Sequence, residues 1–311
     1  MIEILQGGFF SAVQDNGRYG YRKYGVPICG AMDLYALRVA NILVGNPEGA
    51  AGIEVTLGGL KLRCTKDALI AITGGDLSPR INNESIPMWT ALWMRKGDIL
   101  TFICLRSGFR AYIAVKGGID ARFVMNSYSP LLRSKDAALK PGDKLKIGEK
   151  SAVRMVKLQP LPDQYVPDCK DKKEVRVVLG PQDDYFTSEA LEVFLNSEYI
   201  VKAQSDRQGY RLEGPVLKHT RNADVVSEAC WPGAIQVPGD GLPIILLADA
   251  MTTGGYPKIA SIISADLDKM GQAKPADKIS FERVSLGEAR SLFLVKEERI
   301  KEIRRIFWGA Q

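Results

Sequence analysis

The sequence predicts a mainly β protein with a few helices (α+β), built from two copies of one β-rich unit. Short apolar runs separated by glycine-containing turns fill most of the chain, as in Ile53–Leu57 and Arg110–Val115. This pattern is typical of barrels and sandwiches and not of βαβ arrays. The order of the elements in the first half then recurs in the second half.

The first unit is predicted to span residues 1–157. Short β runs open it, and one helical pattern follows from Leu34 to Val44, with apolar residues at spacings of three and four. Asp33 is a suitable N-cap, and Gly45 followed by Asn46 and Pro47 is a suitable stop. The unit therefore has one helix among many strands.

Residues 158–173 contain three prolines and a charged run, which predicts a linker. The second unit is predicted over 174–285. It begins with a strand at Val175–Leu179 and continues with a helix at Glu189–Leu195, capped by Thr187 or Ser188. Residues 286–311 are predicted to form a C-terminal helix with one apolar and one charged face. The apolar face consists of Ala289, Leu292, Phe293, Ile300, Ile303 and Phe307.

Five landmarks support the internal repeat, because they occur in the same order in both halves. Two of them are short identities: Gly97-Asp98 corresponds to Gly239-Asp240, and the Lys-Pro-x-Asp-Lys of Lys140–Lys144 corresponds to Lys274–Lys278. The remaining three pair the helix caps (Asp33 with Ser188), Leu57 with Leu212, and Ser107–Tyr112 with Thr253–Tyr256.

The stretch Ile244–Ile263 has two apolar runs on either side of a polar, glycine-rich segment. This arrangement predicts a buried hairpin with an open backbone at its tip. The glycines would let a ligand approach closely, and the hydroxyls would offer donors. An ordinary tight turn is the alternative.

Composition excludes several classes of protein. Hydrophobic residues make up 46% and charged residues 25% of 311, which is ordinary globular composition, and no window is apolar enough for a membrane span. The five cysteines contain no Cys-x-x-Cys, so reduced thiols in the cytoplasm are expected. The net charge of +6 lacks interleaved aromatics, so nucleic-acid binding is not expected. His219 is the sole histidine, so no metal site is expected.

Candidate chemistry is densest in Gln204–Pro215, which contains two arginines, two carboxylates and a hydroxyl around one predicted strand. Strand alternation would place Asp206, Gln208 and Tyr210 on one face and Arg207 and Arg211 on the other. Either a structural arginine–carboxylate network or a site that anchors a carboxylate or phosphate would use these residues. Gln14, Asp15 and Arg18 have similar chemistry in the first half, and Gly180–Asp184 either caps a helix or has a function.

Nearly the whole chain resembles the biotin-dependent carboxyltransferase family, subdomains A and B. That family includes the C subunits of 5-oxoprolinases (PxpC), KipI antagonists of the KipA type and the second subunits of allophanate hydrolases. The segments that carry the resemblance are Val13–Arg18, Gly25–Asp33, Gly180–Asp184, Gln204–Pro215, Gly233–Pro238 and Thr252–Lys258.

The resemblance implies two cyclophilin-like β-barrel units. It also implies a hetero-oligomer with a KipI-like partner and a LamB/YcsF-like partner. Such chains together hydrolyse 5-oxo-L-proline to L-glutamate with ATP and magnesium, which act at the level of the complex.

Site roles follow from this hypothesis. Asp206, Asp249 and Lys258 are the predicted catalytic residues. The carboxylates of Asp206 and Asp249 would orient the anion-binding residues or act as a base. Arg207, Arg211 and Lys258 would bind an anionic group of the substrate. The backbone and hydroxyl groups of Thr252–Gly255 would donate hydrogen bonds to the negative charge that develops during the reaction. The predicted substrate- or phosphate-binding residues are Ser205, Arg207, Arg211, Thr252, Thr253, Gly254, Gly255 and Tyr256, with Gln14, Asp15 and Arg18 as candidates in the first half.

The chain departs from the family pattern at three places. Residues 131–135 lack the usual glycine-rich loop, Ala250-Met251 replaces Arg-Gln, and Leu242 replaces a common Gln. These changes favour an alternative, a non-catalytic KipA-type protein that binds a KipI-like partner. A carboxyltransferase component of a urea-carboxylase-like system is a further alternative, but the chain has no biotinylation signal, so biotin is not expected on it.

Overall fold

The computed structural model describes residues 1–131, 137–148, 158–169 and 172–309. Within these residues there are 21 β-strands and four α-helices, which confirms the mainly β fold with a few helices. The chain forms two compact units. The first comprises Met1–Arg18, Asp33–Cys169 and Glu297–Gln311, and the second comprises Tyr19–Met32 and Lys170–Lys296.

The first unit contains twelve strands in two antiparallel sheets. The strands are β1 Ile2–Gly7, β2 Phe10–Gln14, β3 Gly52–Thr56, β4 Leu60–Cys64, β5 Ala68–Asp76, β6 Pro79–Ile81, β7 Glu84–Ser85, β8 Thr90–Met94, β9 Ile99–Phe102, β10 Ser107–Val115, β11 Ile119–Asp120 and β12 Lys144–Ile147. One sheet has the order β11-β12-β1-β4-β9-β6-β7, and the other has the order β2-β3-β10-β5-β8.

The helix of the first unit, α1 (Leu34–Val44), begins and ends where the sequence predicted. The Asp33 carboxylate accepts a hydrogen bond from the amide of Ala36 at 2.8 Å. Gly45, with φ +77°, ends the helix in the left-handed region, which favours glycine. Nearly all of α1 is buried, because it packs on β5 and β10.

The second unit contains a closed barrel of seven strands and a separate two-stranded sheet. The barrel strands are β13 Lys172–Leu179, β14 Tyr199–Val201, β15 Gly209–Glu213, β17 Ala234–Gln236, β18 Ile244–Leu246, β20 Lys258–Ile262 and β21 Lys278–Arg283, and the two-stranded sheet consists of β16 Glu228–Ala229 and β19 Thr253–Gly254. The strand order in the barrel is β13-β20-β17-β18-β15-β14-β21. Its first and last strands, β13 and β21, pair in parallel, whereas every other described pair in the barrel is antiparallel.

The barrel interior is filled by inward-facing apolar residues of alternate strand positions, including Val175, Val177 and Ile235. Helix α2 (Ser188–Asn196) covers it through Ala190 and Phe194. Thr187 caps α2, because its hydroxyl accepts from the amide of Ala190 at 3.1 Å. A short helix, α3 (Leu267–Gly271), precedes β21.

The predicted hairpin over Ile244–Ile263 is wrong. Its two apolar runs form β18 and β20, but each of them pairs with β17, which lies between them in the barrel. The Thr-Thr-Gly-Gly segment is therefore not a hairpin tip. Thr253 and Gly254 form β19, which pairs with β16 in a separate two-stranded sheet.

The repeated Lys-Pro-x-Asp sequences form the same turn in both units. In the first, the carboxylate of Asp143 accepts from the amide of Lys140 at 2.7 Å. In the second, the carboxylate of Asp277 accepts from the amide of Lys274 at 3.1 Å. Each turn leads directly into a strand, β12 or β21.

The units divide differently from the predicted ranges. Tyr19–Met32, predicted within the first unit, belongs to the second. The reason is local: the amide of Cys29 donates to the carbonyl of Ala248 at 2.9 Å, and Met32 packs in the barrel core. The predicted boundary at residue 157 lies outside the described residues, as do residues 132–135 of the segment predicted to lack a glycine-rich loop.

The C-terminal helix α4 (Leu286–Trp308) buries Ile300, Ile303 and Phe307 of its predicted apolar face, whereas Phe293 of that face is 40% exposed. The indole of Trp308 donates to the carbonyl of Ile42 at 2.7 Å. In the part of the chain that the structure describes, no helix is both long and apolar enough to cross a bilayer.

Candidate functional site

Lys258, the first residue of β20, is the centre of a polar cluster in the second unit. Its side chain is completely buried, and its ammonium group donates to the carboxylate of Glu228, whose side chain is 40% exposed. Gln182 joins the two residues. Its amide nitrogen donates to Glu228 Oε1 at 2.6 Å, and its oxygen accepts from the Lys258 backbone amide at 3.1 Å.

An aromatic ring also contacts the lysine. Lys258 Nζ lies 5.6 Å from the ring centroid of Trp231, within range of a cation–π interaction. The indole of Trp231 donates to the hydroxyl of Ser261 at 2.9 Å, which fixes the orientation of the ring. A buried cation is thus held between one carboxylate and one aromatic face.

A buried thiol lies in the same cluster. The side-chain amide of Gln236 donates to the Cys230 sulfur and to the carbonyl of Tyr256, at 3.4 Å in each case. Burial raises the pKa of the Cys230 thiol, and the charges of Lys258 and Arg22 offset part of this rise. Cys230 is therefore held as a neutral thiol at neutral pH.

Gly254 is required by this packing. It pairs with Glu228 between β19 and β16. A Cβ atom added at Gly254 would lie 2.7 Å from Gln236 Nε2 and 2.8 Å from the Cys230 sulfur. A side chain at this position would displace the groups of the cluster, so the glycine of the Thr-Thr-Gly-Gly segment has a packing role.

A second polar pair is built from Arg207 and Asp249, both almost completely buried. Arg207 Nε and Nη2 donate to the two carboxylate oxygens of Asp249 at 2.8 and 3.1 Å, in a bidentate arrangement. Nη2 also donates to the carbonyl of Gly30 at 2.5 Å. Ala250, the next residue, belongs to the same buried apolar cluster as Cys230.

The predicted residues Ser205, Asp206 and Arg211 do not join these groups through any described contact. The Asp206 carboxylate is exposed and accepts from the amides of Gln208 and Gly209 at 2.8 and 3.2 Å, so it stabilises a turn. The hydroxyl of Ser205 accepts from the amide of Arg211 at 3.1 Å. These contacts are those of a loop before β15.

The predicted strand alternation fails before residue 209, because β15 begins only at Gly209. Arg207 is consequently buried while Arg211 is exposed on the outside of β15. The two arginines do not share a face, and Tyr210 faces the barrel core. The loop conformation at Asp206 breaks the period of two.

The remaining predicted residues contribute backbone. The carbonyl of Thr252 accepts from the amide of Cys230, and the carbonyl of Gly255 accepts from the amide of Val225, both at 2.9 Å. The side chains of Thr253 and Tyr256 are exposed. The segment shapes the wall beside Cys230 more than it offers hydroxyl donors.

The first-half candidates form a network of their own in the first unit. The Asp15 carboxylate accepts from the hydroxyls of Ser127 and Ser129 at 2.8 and 2.7 Å. Arg18 donates to the carbonyls of Val124 and Ser129. The Gln14 side chain is buried on β2.

Sequence reasoning missed Gln182, Glu228, Cys230 and Trp231 as site residues. Gln182 lies in the Gly180–Asp184 segment, for which capping was one interpretation, but Thr187 caps the helix instead. Glu228 and Cys230 lie in a segment without periodicity, so nothing local distinguishes them. Their role appears only when β16 pairs with β19.

The geometry defines the chemistry that this site offers. A buried ammonium group next to a partly exposed carboxylate can stabilise negative charge on a bound group, and the carboxylate can accept a proton. No group of three or more His, Cys, Asp or Glu side chains suited to a metal ion occurs among the residues described. The cations of Arg207 and Lys258 are both engaged by carboxylates.

The chain belongs to the family described as "Carboxyltransferase domain, subdomain A and B", which its residues 24–283 match. It is 38% identical over 296 residues to the C subunit of the 5-oxoprolinase of Escherichia coli strain K12, covering 93% of each chain. It is 35% identical over 312 residues to the C subunit of the 5-oxoprolinase of Haemophilus influenzae, covering 98% of each.

Larger proteins contain a similar region. The urea amidolyase of Saccharomyces cerevisiae is 34% identical over 97% of this chain, which matches only 18% of the yeast protein. In a crystal structure of the urea amidolyase of Kluyveromyces lactis, the matching region has a TM-score of 0.91 at 32% identity. It covers 97% of this chain and 20% of that one.

Proposed function

We propose that this chain is the C subunit of an ATP-dependent 5-oxoprolinase complex that hydrolyses 5-oxo-L-proline to L-glutamate. The supporting observation is its end-to-end match with C subunits of 5-oxoprolinases, which covers 93% of both chains for the Escherichia coli protein. The urea amidolyases match only as a small part of a much longer chain.

The partners in this proposal are a KipI-like chain and a LamB/YcsF-like chain. ATP with magnesium acts at the level of the complex and would activate the lactam for addition of water across its C–N bond. Two nitrogens of Arg207 are engaged by the buried carboxylate of Asp249, and Lys258 is reserved for the substrate in this proposal. The proposal therefore leaves the nucleotide to one of the two partners.

Lys258 is the residue proposed to act on the substrate. The partly exposed carboxylate of Glu228 can turn toward solvent when an anionic group enters, because its side chain is 40% exposed. The ammonium group would then stabilise the oxyanion that develops on the lactam carbonyl. Arg207 and Asp249 support the adjacent wall through their bidentate pair.

The test is reconstitution of this chain with its KipI-like and LamB/YcsF-like partners and measurement of ATP-dependent glutamate release. We expect this chain alone to be inactive and the complex to be active. Lys258→Met should lower the rate of the complex by about 10²-fold or more, while Lys269→Met, at a partly exposed lysine, should leave it unchanged. A complete complex that hydrolyses no 5-oxoproline at saturating ATP and magnesium would refute the proposal.

A KipA-type binding protein is the second candidate, and one observation favours it. Met251 is 56% exposed next to the site, and Val226 and Tyr256 add exposed apolar surface in nearby segments. Such a surface suits protein binding. Stable binding of the KipI-like partner without glutamate release in the complete mixture would support this candidate.

Replacing Ala250 by arginine, the usual residue of the family, is not a simple way to restore the family pattern. Ala250 is buried in an apolar cluster that also contains Cys230, Ala234 and Leu246. Arginine at this position would place a charge in an apolar cluster. Met251→Gln is the better test of the departure from the family pattern, because the side chain is exposed.

A further inference from the structure

Residues 220–228 of the second unit form a segment, here called the strap, that ends in Glu228, the carboxylate partner of Lys258. Its middle part, residues 222–227, contains no helix or strand. Most side chains of this part are exposed, namely those of Asn222, Asp224, Val226 and Ser227. Because even Val226 is 92% exposed, the strap loses little apolar contact when it moves.

Both ends of the strap are anchored. Before it, Leu217 is completely buried, and its amide donates to the carbonyl of Gly241 at 2.9 Å. After it, Cys230 is completely buried, and its amide donates to the carbonyl of Thr252 at 2.9 Å. A movement of the strap is therefore confined to the residues between these two anchors.

One short segment of the same unit, residues 180–185, holds the strap at two places. This segment is fixed to β20, because the amide of Gly180 donates to a carbonyl of that strand at 2.8 Å. At one end of the strap, the side-chain amide of Gln182 donates to Glu228 at 2.6 Å. At the other end, the amide of Thr220 donates to the carbonyl of Tyr185 at 2.8 Å.

Arg221 forms the part of this attachment that is easiest to release. Its guanidinium is paired with the carboxylate of Asp184 and lies 3.8 Å from the ring centroid of Tyr185, an arrangement here called the latch. The side chains of Arg221 and Asp184 are 51% and 63% exposed, so water and salt screen their attraction. The ion pair and the cation–π contact are each worth a factor of about five or less in an equilibrium.

We infer that Arg221 is a positioning residue, which holds the strap so that Glu228 neutralises Lys258, and that release of the latch frees the Lys258 ammonium group for the substrate. This role depends on the proposed function, in which Lys258 stabilises the developing oxyanion. Arg221 acts through Glu228 and does not itself contact the substrate. The carboxylate leaves Lys258 together with its backbone, because Glu228 is the last residue of the strap.

The thiol of Cys230 reports the position of the strap and requires no turnover. Its sulfur donates to the carbonyl of Glu228 at 3.9 Å, and Gly254 of the paired strand β19 lies against it. Alkylation of Cys230 by iodoacetamide in the full chain, followed by peptide mapping, therefore measures the open fraction of the strap. Cys29, which is 4% exposed in the same unit, reports opening of the whole unit.

Arg221→Met should raise the labelling rate of Cys230 by about fivefold or more and leave that of Cys29 unchanged. Arg221→Glu and Asp184→Arg should each raise it as well. Their combination restores a pair with reversed charges and should label more slowly than either single variant. Arg95→Met removes an exposed ion pair with Asp67 in the first unit and should have no effect.

An unchanged Cys230 rate in Arg221→Met would overturn the inference. An equal rise at Cys29 would do so too, because the whole unit would then be opening, and so would a reversed pair that labels as fast as its single variants. All these measurements use the chain alone. A complete complex that releases no glutamate therefore refutes the proposed function, whereas the labelling rates test the latch separately.

Discussion

The ammonium group of Lys258, completely buried, is neutralised by a carboxylate that is partly open to solvent, that of Glu228. Gln182 holds both partners, so the pair is fixed by a third backbone segment besides their own strands. This asymmetry in exposure means that the two residues respond differently to substitution.

We expect Glu228→Ala to lower the free energy of unfolding by about 1–3 kcal/mol, because it leaves a buried ammonium group without its carboxylate. In the background of Lys258→Met the same change should cost much less. Urea denaturation of the two single variants and the double variant measures this coupling. Simple additivity of the three values would contradict a direct interaction.

At pH 7.5, Cys230 should react with iodoacetamide at least about ten times more slowly than the exposed Cys104. The reason is that burial raises the pKa of the Cys230 thiol. Lys258→Met should slow it further, since the lysine charge lowers this pKa in part. Peptide mapping by mass spectrometry gives both rates. Equal labelling of the two thiols would show that Cys230 is not held as described.

The raised pKa of the Cys230 thiol makes the stability of the folded chain depend on pH, and the direction of this dependence can be stated. The folded chain keeps the Cys230 proton to a higher pH than the unfolded chain, whose thiol pKa is about 8.5. The contribution of this group to stability is therefore complete below that value and is lost as the pH rises toward the higher folded pKa. Cys230→Ser should make the alkaline decline less steep, which urea denaturation at a series of pH values would measure.

Tyr199→Phe should leave stability unchanged or raise it by up to about 1 kcal/mol. The Tyr199 hydroxyl is buried without a hydrogen-bond partner among the described residues, and burial raises its pKa to about 12. Tyr210→Phe is the matched control. Its hydroxyl donates to the carbonyl of Ala273 at 2.9 Å, so the same atom deletion should cost about 1 kcal/mol. Equal effects in thermal denaturation would contradict this distinction.

The repeated turn offers a matched pair of backbone substitutions. Gly142 has φ +91° and Ala276, its counterpart, has φ +73°. Gly142→Ala should cost about 1 kcal/mol from left-handed strain alone, since a Cβ there meets no atom within 4 Å. Ala276→Gly should relieve the same strain, although glycine raises the entropy of the unfolded chain. Calorimetry of both variants tests whether the turns are equivalent.

The sequence predicted the features that depend on neighbouring residues. The cap at Asp33, the left-handed stop at Gly45 and the Lys-Pro-x-Asp turns are decided within a few positions. For the same reason α4 was found, although only the C-terminal part of its predicted apolar face is buried. Local geometry and the helical period suffice for such elements.

Features that depend on distant pairing were missed or misplaced. Ile244–Leu246 and Lys258–Ile262 look like neighbours in sequence, but β17 separates them. Arg207 was expected either to bind an anionic ligand or to join an arginine–carboxylate network. Asp249, 42 positions away, accepts from both Nε and Nη2, so the structure contains the second arrangement. The sequence offered Asp249 as a group that orients others, but it did not show that Arg207 is its partner.

The parallel pairing of β13 with β21 also has a consequence for biosynthesis. During synthesis, one edge of β13 remains unpaired until residues 278–283, which form β21, have been made. Met32, synthesised much earlier, likewise contributes to a core that does not yet exist. Closure of the barrel is therefore one of the last steps of chain folding, and a chain truncated before Lys278 should expose a strand edge that is prone to aggregation.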